Sequence, residues 1–345
     1  MTKTFRAAVL TCLNQPLELL NLKFPNLSEG QVLVKILNST ICGSQLFEIA
    51  GERGSDSYIP HLLGHEGYGI VEDVGIGVSR FKSGDEVILT WINQFGLDCK
   101  QIVFESDTGR RINAGKVTTF SEYAVVAENK LYKAPRIENP TILPLLGCAA
   151  LTGAGMVFNN KTDSNRSLVI GGGGVGIFAI LALLLLGTEE IHVVEKSERK
   201  RNLISQIDSR IFLHSGVSSQ SLTQEISSKG TFEEVFESTG SITSLQMGIE
   251  LTAMPGCLTF CSHPKHGDSL IINPFDLVRG KRLIGSWGGG CEDEKLRDKA
   301  IDVAKTYGNF LSLTLSKPYP LASINKALAD AKSGENFRVL IGMTE

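Results

Sequence analysis

Three residues of metal-ligating type stand in separate turn-like segments: Cys42 in ICGSQLFEIAG, His65 in LLGHEGYGIVEDVG and Cys148 in LPLLGCAALTGAG. Thiolate sulfur and imidazole nitrogen are donor atoms that suit Zn²⁺. Three protein ligands leave the fourth tetrahedral position for water or a substrate oxygen, as in catalytic zinc sites. Glu66, directly after His65, could orient the site or act as a transient ligand. Taken singly, each Cys or His is more often an ordinary buried side chain.

A second chemical segment runs from Ser167 to Glu195, where a strand, a glycine turn, a helix, a strand and an acid follow one another. The glycines permit a tight turn, close approach of a pyrophosphate, and close packing of the helix on the strand. The helix N-terminus then favours the negative charge of the phosphates. Glu195 stands where a carboxylate can accept hydrogen bonds from a ribose, which predicts NAD(H) rather than NADP(H). The glycines of the turn are Gly171, Gly173, Gly174 and Gly176.

The same segment has two other interpretations. Four glycines can form a plain flexible loop, and residues 168–186 are long and apolar enough to suggest a membrane span. The glycine cluster argues against the span because it divides the run into a strand and a helix of about three turns. Strand before, helix after and acid at the right distance favour a dinucleotide site over a loop.

Composition restricts the class of protein. A chain of 345 residues fits two domains, and a net charge of −3 with 21% charged residues is typical neither of a nucleic-acid binder nor of a disordered chain. The first residues, MTKTFRAAVL, do not read as a secretory signal, so we expect a cytoplasmic protein without a membrane partner. Seven scattered cysteines are unlike a disulfide framework. We expect the ligand to be a small molecule.

The pattern of elements changes along the chain. Residues 6–144 contain short β-rich runs separated by Gly, Pro and Asn, whereas the following residues alternate strand and helix signals. Six strand candidates, the first just before the glycine turn and five after it, suit a doubly wound sheet. Helices are predicted at 294–306 and 324–332, and a last strand at 338–341. The sequence therefore predicts an α/β fold, with a Rossmann parallel sheet inserted between two pieces of a β-rich domain.

Several motifs together closely resemble the zinc-containing medium-chain alcohol dehydrogenases over nearly the whole chain. They are Cys42-Gly43-Ser44, Gly64-His65-Glu66, Cys148 with Thr152-Gly153, the glycine turn, Glu237-Ser238-Thr239-Gly240, Asn273-Pro274, Gly285-Ser286-Trp287-Gly288-Gly289 and Phe337-Arg338. The resemblance implies a GroES-like catalytic domain at 1–152 and 287–345, and a Rossmann domain at 153–286. It also implies a catalytic zinc, a homodimer or homotetramer, and interconversion of an alcohol and a carbonyl by hydride transfer with NAD(H).

The resemblance assigns roles to individual residues. Cys42, His65 and Cys148 match the zinc ligands, and Ser44 matches the hydroxyl that bonds the substrate oxygen. Trp91 matches an aromatic residue that lines the substrate pocket. The positions that match cofactor contacts are Thr152 and Val175 at the nicotinamide, Gly171, Gly173, Gly174, Gly176, Glu195 and Lys200 around the phosphates and ribose, and Arg338 near the pyrophosphate.

The chain departs from the family pattern at three places. Many relatives hold a structural zinc with four closely spaced cysteines, but only Cys99 stands in that segment, so we expect one zinc per chain. Phe47 occupies the position of a histidine that relays the proton, and phenylalanine cannot titrate. His263 is a candidate substitute near the nicotinamide, although a surface role suits it equally. Gly43 replaces an arginine that some members use on the pyrophosphate.

These observations predict a zinc- and NAD(H)-dependent dehydrogenase in which Zn²⁺ acts as a Lewis acid and Ser44 orients the oxygen. Trp91 favours a polyol, cyclitol or sugar-derived secondary alcohol as substrate, because an indole face packs well on a sugar ring. Dehydrogenation of simple primary alcohols or aldehydes is the alternative within the same chemistry. A non-catalytic nucleotide-binding scaffold is the alternative of another class.

Overall fold

Residues 3–343 are described by a computed structural model, and within them eighteen β-strands follow one another. In chain order they are β1 Thr4–Leu10, β2 Glu18–Lys23, β3 Gln31–Ile41, β4 His61–Leu62, β5 Glu66–Val74, β6 Glu86–Thr90, β7 Ile102–Glu105, β8 Arg111–Ala114, β9 Tyr123–Ala127, β10 Leu131–Lys133, β11 Arg166–Ile170, β12 Glu190–Glu195, β13 Ile211–Ser215, β14 Phe232–Glu237, β15 Thr252–Phe260, β16 Lys281–Gly285, β17 Tyr319–Pro320 and β18 Val339–Gly342.

The same residues form ten α-helices and short 3₁₀ helices. The α-helices are α1 Gly43–Ile49, α2 Ala149–Asn160, α3 Gly176–Leu185, α4 Glu198–Ile204, α5 Gln220–Ser227, α6 Ile242–Leu251, α7 Pro274–Val278, α8 Glu294–Thr306, α9 Gly308–Thr314 and α10 Ile324–Ser333. The 3₁₀ helices are Glu128–Lys130, Pro140–Gly147, Gly288–Gly290 and Leu321–Ser323. No single helix in residues 3–343 has the length and apolar composition needed to cross a membrane, and Pro140–Gly147 with Ala149–Asn160 meets that test only as a bent pair.

The chain divides into two compact units. Of the described residues, 3–148, 311–333 and 338–343 form the first unit, and 149–310 with 334–337 form the second. The first unit contains two sheets, one of order β2-β1-β4-β8-β7 and one of order β10-β6-β5-β3-β18-β17, with β9 also paired to β3. This β-rich unit, interrupted in sequence by the second, agrees with the predicted fold class.

Strand β3 organises the first unit. It pairs antiparallel with β5, β9 and β18, and its side chains Val32, Val34 and Ile36 are buried in the core. Strand β18 brings the C-terminal part of the chain back to the end of β3, with Val339 opposite Ile41. Because of this register, Arg338 lies beside the segment that begins at Cys42.

The second unit is a doubly wound parallel sheet. Its order is β13-β12-β11-β14-β15-β16, and every neighbouring pair is parallel. Apolar side chains of β11 and β14 and all of α3 as far as Leu184 are buried, as expected for a sheet covered on both faces. The predicted Rossmann fold is confirmed, and the turn after β11 lies at the carboxyl end of the sheet, where such folds bind ligands.

The segment 287–310 belongs to the second unit, whereas the sequence-based boundaries placed it in the catalytic domain. Helix α8 packs against α2 and α3 through Ala300, Ile301, Val303 and Ala304. The Cys291 thiol donates to the Leu151 carbonyl oxygen at 3.2 Å. An amphipathic pattern predicts which face of α8 is buried, but it does not predict which helices cover that face. The domain division at residues 153 and 287 stays a prediction.

Candidate metal and cofactor site

The three predicted metal ligands meet in the first unit. Cys42 is the residue before α1 and follows β3, His65 immediately precedes β5, and Cys148 follows the 3₁₀ helix Pro140–Gly147. The donor atoms of these three residues all lie within 4.8 Å of one another. Segments far apart in sequence therefore place two sulfurs and one nitrogen around a common point.

The donor atoms fit a zinc ion chemically. His65 Nε2 is buried and has no hydrogen-bond partner in the described structure, which is an unfavourable state for a ring nitrogen unless a ligand completes it. The pKa of the Cys42 thiol is lowered because the Cys148 thiol donates a hydrogen bond to it, and Arg338 and His65 add to this effect against the opposing effect of burial. The same hydrogen bond raises the pKa of Cys148. Zn²⁺ binding would displace the shared proton and hold both sulfurs as thiolates.

Gln45 contacts both Cys42 and His65, and the sequence analysis did not identify it. Its Oε1 accepts a hydrogen bond from the Cys42 backbone N–H at 2.8 Å, and its Nε2 lies 2.5 Å from His65 Nδ1. A histidine that binds metal through Nε2 carries its proton on Nδ1 and needs an acceptor there. If His65 bound zinc through Nε2, the Gln45 amide would have to turn its oxygen towards Nδ1 and give up its contact with the Cys42 N–H. The signal was a glutamine three residues after the N-cap of α1, the spacing of a capping box.

Glu66 and Arg338 form a buried ion pair next to the ligands. Arg338 Nε lies 3.4 Å from Glu66 Oε1, and both side chains are almost fully buried. Burial raises the pKa of Glu66, and the charge of Arg338 opposes that rise. Burial alone would lower the pKa of Arg338, but the negative charges of Cys42 and Glu66 raise it instead. Arg338 was predicted near the cofactor pyrophosphate; the structure pairs it with Glu66, and the pyrophosphate role stays a prediction.

Two further predicted residues flank the metal site. The Ser44 hydroxyl oxygen is buried and makes no hydrogen bond in the described structure, so it is available to a ligand. The Trp91 ring lies edge-on to His65 with ring centroids 6.4 Å apart. Phe47 is on α1, five residues after Cys42, and cannot accept a proton. A hydroxyl without a hydrogen bond and an aromatic ring therefore lie next to the ligand set.

The glycine turn of the second unit has the geometry of a phosphate-binding turn. Gly171 has a φ of +96°, where a side chain would be strained and would also meet Thr239. A Cβ on Gly176 would collide with the Gly171 carbonyl oxygen, so only glycine allows α3 to begin this close to the turn. A Cβ on Gly173 would meet no atom within 4 Å. The space beside Gly173 is thus open for a ligand to approach the backbone.

Glu195 lies at the end of β12 beside this turn. Its two carboxylate oxygens accept hydrogen bonds from the backbone N–H of Gly172 at 2.9 Å and of Ser197 at 2.8 Å. The remaining lone pairs can accept from a ribose. Thr152 and Val175 are also in this unit; Val175 precedes α3, and the buried Thr152 hydroxyl makes no hydrogen bond in the described structure.

Basic residues after β12 are engaged with other groups. Arg199 donates to Asn336, and Arg201 donates to the carbonyl oxygens of Glu195 and Lys196. The Lys200 ammonium lies 5.7 Å from the centre of the Phe337 ring. These contacts engage Arg199 and Arg201 with neighbouring oxygen atoms.

The remaining predicted positions lie elsewhere. His263 is exposed in the second unit and its ring contacts Trp287 with centroids 5.5 Å apart. Cys99 is half-buried, its pKa is raised by burial, and it belongs to neither of the two potential metal-binding clusters of the described residues. The second of those clusters, Glu48, Asp56 and His61, was not anticipated. The predicted roles of His263 and Cys99 stay predictions.

The fold and the cluster of donors together define a two-domain, zinc-dependent dehydrogenase. Residues 28–136 match the family model described as alcohol dehydrogenase GroES-like domain, and residues 174–306 match the model described as zinc-binding dehydrogenase. The chain belongs to the family of zinc-containing medium-chain alcohol dehydrogenases.

Individual relatives match this chain over nearly its full length. The chain is 27% identical to alcohol dehydrogenase class-3 of Myxine glutinosa, with 97% of each chain covered. It is 26% identical to S-(hydroxymethyl)glutathione dehydrogenase of Synechocystis sp., covering 97% of this chain and 99% of the relative. The structure resembles benzyl alcohol dehydrogenase from Acinetobacter calcoaceticus, with a TM-score of 0.84, 25% identity, and coverage of 99% and 100%.

Proposed function

We propose that this protein interconverts a polyol, cyclitol or sugar-derived secondary alcohol and its carbonyl by hydride transfer with NAD(H). The observation that carries the chemistry is the meeting of Cys42, His65 and Cys148, with donor atoms within 4.8 Å, next to the Ser44 hydroxyl that makes no hydrogen bond in the described structure. These three residues are the proposed ligands of one catalytic zinc.

Each residue of the proposed site has a separate role. When bound, Zn²⁺ supplies Lewis-acid chemistry that lowers the pKa of an alcohol oxygen. Ser44 would accept the hydrogen bond of the substrate hydroxyl and take up its proton, while a bound nicotinamide would supply the hydride acceptor. Because Phe47 cannot accept a proton, the proton that Ser44 gives up would pass to water or to another acceptor. The buried ion pair between Glu66 and Arg338 would help to hold the segment that carries His65 in place.

The substrate class rests on Trp91. Its ring lies 6.4 Å from the ring of His65, with an interplanar angle of 65°, so the indole is a neighbour of a proposed zinc ligand. An indole face packs on the C–H side of a sugar or cyclitol ring while hydroxyls point elsewhere. Oxidation of a primary alcohol is the second candidate, favoured by relatives whose names specify S-(hydroxymethyl)glutathione and benzyl alcohol.

A substrate panel tests the proposal. NADH formation is measured with polyols, cyclitols and sugars, and with short primary alcohols and benzyl alcohol. We expect the highest kcat/KM among the ring or chain polyols. Trp91→Ala should lower that kcat/KM, and Trp91→Phe is the matched control that keeps an aromatic face. A preference for simple primary alcohols would support the second candidate, and no turnover with any alcohol would favour a scaffold.

We predict that the purified protein retains about one zinc per chain after gel filtration in metal-free buffer. The reason is that residues 3–343 contain one site of two cysteines and a histidine, whereas the segment around Cys99 supplies one cysteine where a structural zinc needs four. Elemental analysis against protein concentration gives the ratio. Two retained zincs per chain would show that this expectation is wrong.

We predict that the enzyme prefers NAD(H) over NADP(H). A carboxylate at Glu195 would face the charged 2′-phosphate of NADP, and like charges in a partly buried site repel strongly. Glu195→Ala should reduce the ratio of kcat/KM for the two cofactors by roughly tenfold or more, the factor that corresponds to about 1.4 kcal/mol. The ratio is measured on one substrate, with Glu198→Ala as control. A clear advantage for NADP(H) in the unmodified enzyme would overturn this assignment.

We also propose that the protein is a homodimer or homotetramer. Strand β16 ends the parallel sheet of the second unit, and the neighbouring side chains Ile271, Phe275 and Val278 are 80%, 62% and 81% exposed. Such a group of exposed apolar side chains next to a sheet edge is typical of an association surface. Light scattering measures the mass, which Val278→Asp should lower.

A further inference from the structure

A second group of metal-ligating side chains lies in the first unit. Glu48 is on α1, Asp56 is in the loop after α1, and His61 is the first residue of β4. One donor atom from each lies within 4.8 Å of the other two. Strand β4 pairs with β1 and β8, so His61 is held in a sheet.

The hydrogen bonds of His61 determine which ring nitrogen faces the acids. Its Nδ1 lies 2.8 Å from the Leu62 carbonyl oxygen, which can only accept, so Nδ1 carries a hydrogen. In the neutral ring Nε2 then carries the lone pair, which can bind a metal ion. Nε2 lies 2.8 Å from Asp56 Oδ2 and 3.9 Å from Glu48 Oε1. Three atoms with lone pairs therefore lie close together: His61 Nε2, Asp56 Oδ2 and Glu48 Oε1. Either a proton on Nε2 or a metal ion must lie between them.

The acids are oriented by their other contacts. Asp56 Oδ1 accepts the Tyr58 backbone N–H at 2.8 Å, and the Tyr58 carbonyl accepts from Asn113 at 2.6 Å, so Oδ2 is left for the cluster. Glu48 Oε2 lies 3.6 Å from Arg53, and Oε1 faces His61. A histidine whose far nitrogen donates to a backbone carbonyl is the usual arrangement of a metal ligand.

The cluster opens into a cavity of about 490 Å³ in the same unit. Glu48, Asp56 and His61 line it, as do Gln45 and His65. The cavity is large enough for a hydrated ion to enter and keep water ligands. The His61 side chain is only 8% exposed, and those of Asp56 and Glu48 are 16% and 28% exposed. The donors are therefore partly desolvated, which strengthens their attraction for a cation.

We infer that Glu48, Asp56 and His61 bind a divalent transition-metal ion, such as Mn²⁺ or Zn²⁺, at a site separate from Cys42, His65 and Cys148. One imidazole and two carboxylates balance the charge of a divalent ion and suit these metals. Metal–ligand bonds of about 2.1 Å separate neighbouring donor atoms by roughly 3.0 Å in the octahedral geometry that Mn²⁺ prefers and by roughly 3.4 Å in the tetrahedral geometry of Zn²⁺. On binding, His61 Nε2 and Asp56 Oδ2 would move apart and Glu48 Oε1 would move closer, each by less than an ångström. Because no thiolate takes part, the ion exchanges on desalting, which is compatible with one retained zinc.

Calorimetric titration of the zinc-retaining protein with MnCl₂, without alcohol or cofactor, tests the inference. Mn²⁺ is the probe because it favours oxygen and nitrogen donors and does not displace Zn²⁺ from thiolates. We expect one saturable Mn²⁺ site per chain. Asp56→Asn and Glu48→Gln, which keep side-chain size, should each weaken binding by at least tenfold. Glu72→Gln, which removes an exposed carboxylate from β5, should leave it unchanged.

Thermal unfolding of each variant verifies that it folds before its titration is interpreted. Absence of saturable Mn²⁺ binding in the unmodified protein would overturn the inference, as would binding that is equally strong in both cluster variants. The contact between His61 and Asp56 would then be an ion pair in the cavity wall. This readout is independent of turnover, so it does not depend on the proposed dehydrogenase activity.

Discussion

Cys42→Ala and His65→Ala are each expected to lower kcat by about 10³- to 10⁴-fold, because Lewis-acid stabilisation by a catalytic metal contributes several kcal/mol. Loss of either residue leaves two donors, and the zinc then dissociates. NADH binding should remain largely intact, because the glycine turn and Glu195 are in segments that contain none of the metal ligands. Zinc content, turnover with the best alcohol of the panel, and NADH fluorescence titration are measured on the same preparations.

Cys99→Ala is the matched control, since it removes a half-buried thiol that belongs to neither potential metal-binding cluster of residues 3–343. It should retain zinc and activity. Undiminished turnover in a Cys42 or His65 variant that has lost its zinc would rule out zinc chemistry. Loss of NADH binding together with zinc would instead show that the substitution unfolds the protein, and His65→Gln, which keeps a polar group of similar size, would then be used.

Ser44→Ala is expected to lower kcat by about 10²- to 10⁴-fold, the range typical of a positioned group that transfers a proton in the transition state. The Ser44 oxygen is buried and makes no hydrogen bond in residues 3–343, so its removal leaves no other group unsatisfied and should hardly change stability. Zinc content should be unchanged. kcat and its dependence on pH are compared with those of the unmodified enzyme.

Ser44→Thr keeps the hydroxyl and is the control for the loss of the proton-accepting oxygen. It should recover most of the activity that Ser44→Ala loses. If Ser44→Ala had the same kcat and pH profile as the unmodified enzyme, the substrate proton would have to leave through another group. His263, which lies against Trp287 in the second unit, would then be substituted next.

Local sequence patterns identified many of the elements. Apolar runs and turn residues predicted the central strands of both units, and the predicted helix at 294–306 coincides with α8, whose N-cap Asp293 accepts hydrogen bonds from Lys295 and Leu296. Strands β2, β7 and β8 were missed, as were the very short β4, β10 and β17. All six have two to six residues, and all but β4 lie at or next to the edge of a sheet, where apolar alternation is weak. The sequence feature that could have revealed β7 and β8 is Gly109, which has a φ of +84° in the turn of the hairpin that joins them.

By itself, the sequence determined the α/β fold class, the glycine turn and which residues could be metal ligands, because these depend on residue type and on spacing within one element. Only the tertiary structure decided which side chains face one another. The antiparallel register of β18 on β3 puts Arg338 beside Glu66, and the loop after α1 brings Asp56 to His61. The hydrogen bond from Arg199 to Asn336 is likewise a tertiary result. Such contacts depend on sheet pairing and loop closure, which local periodicity does not encode.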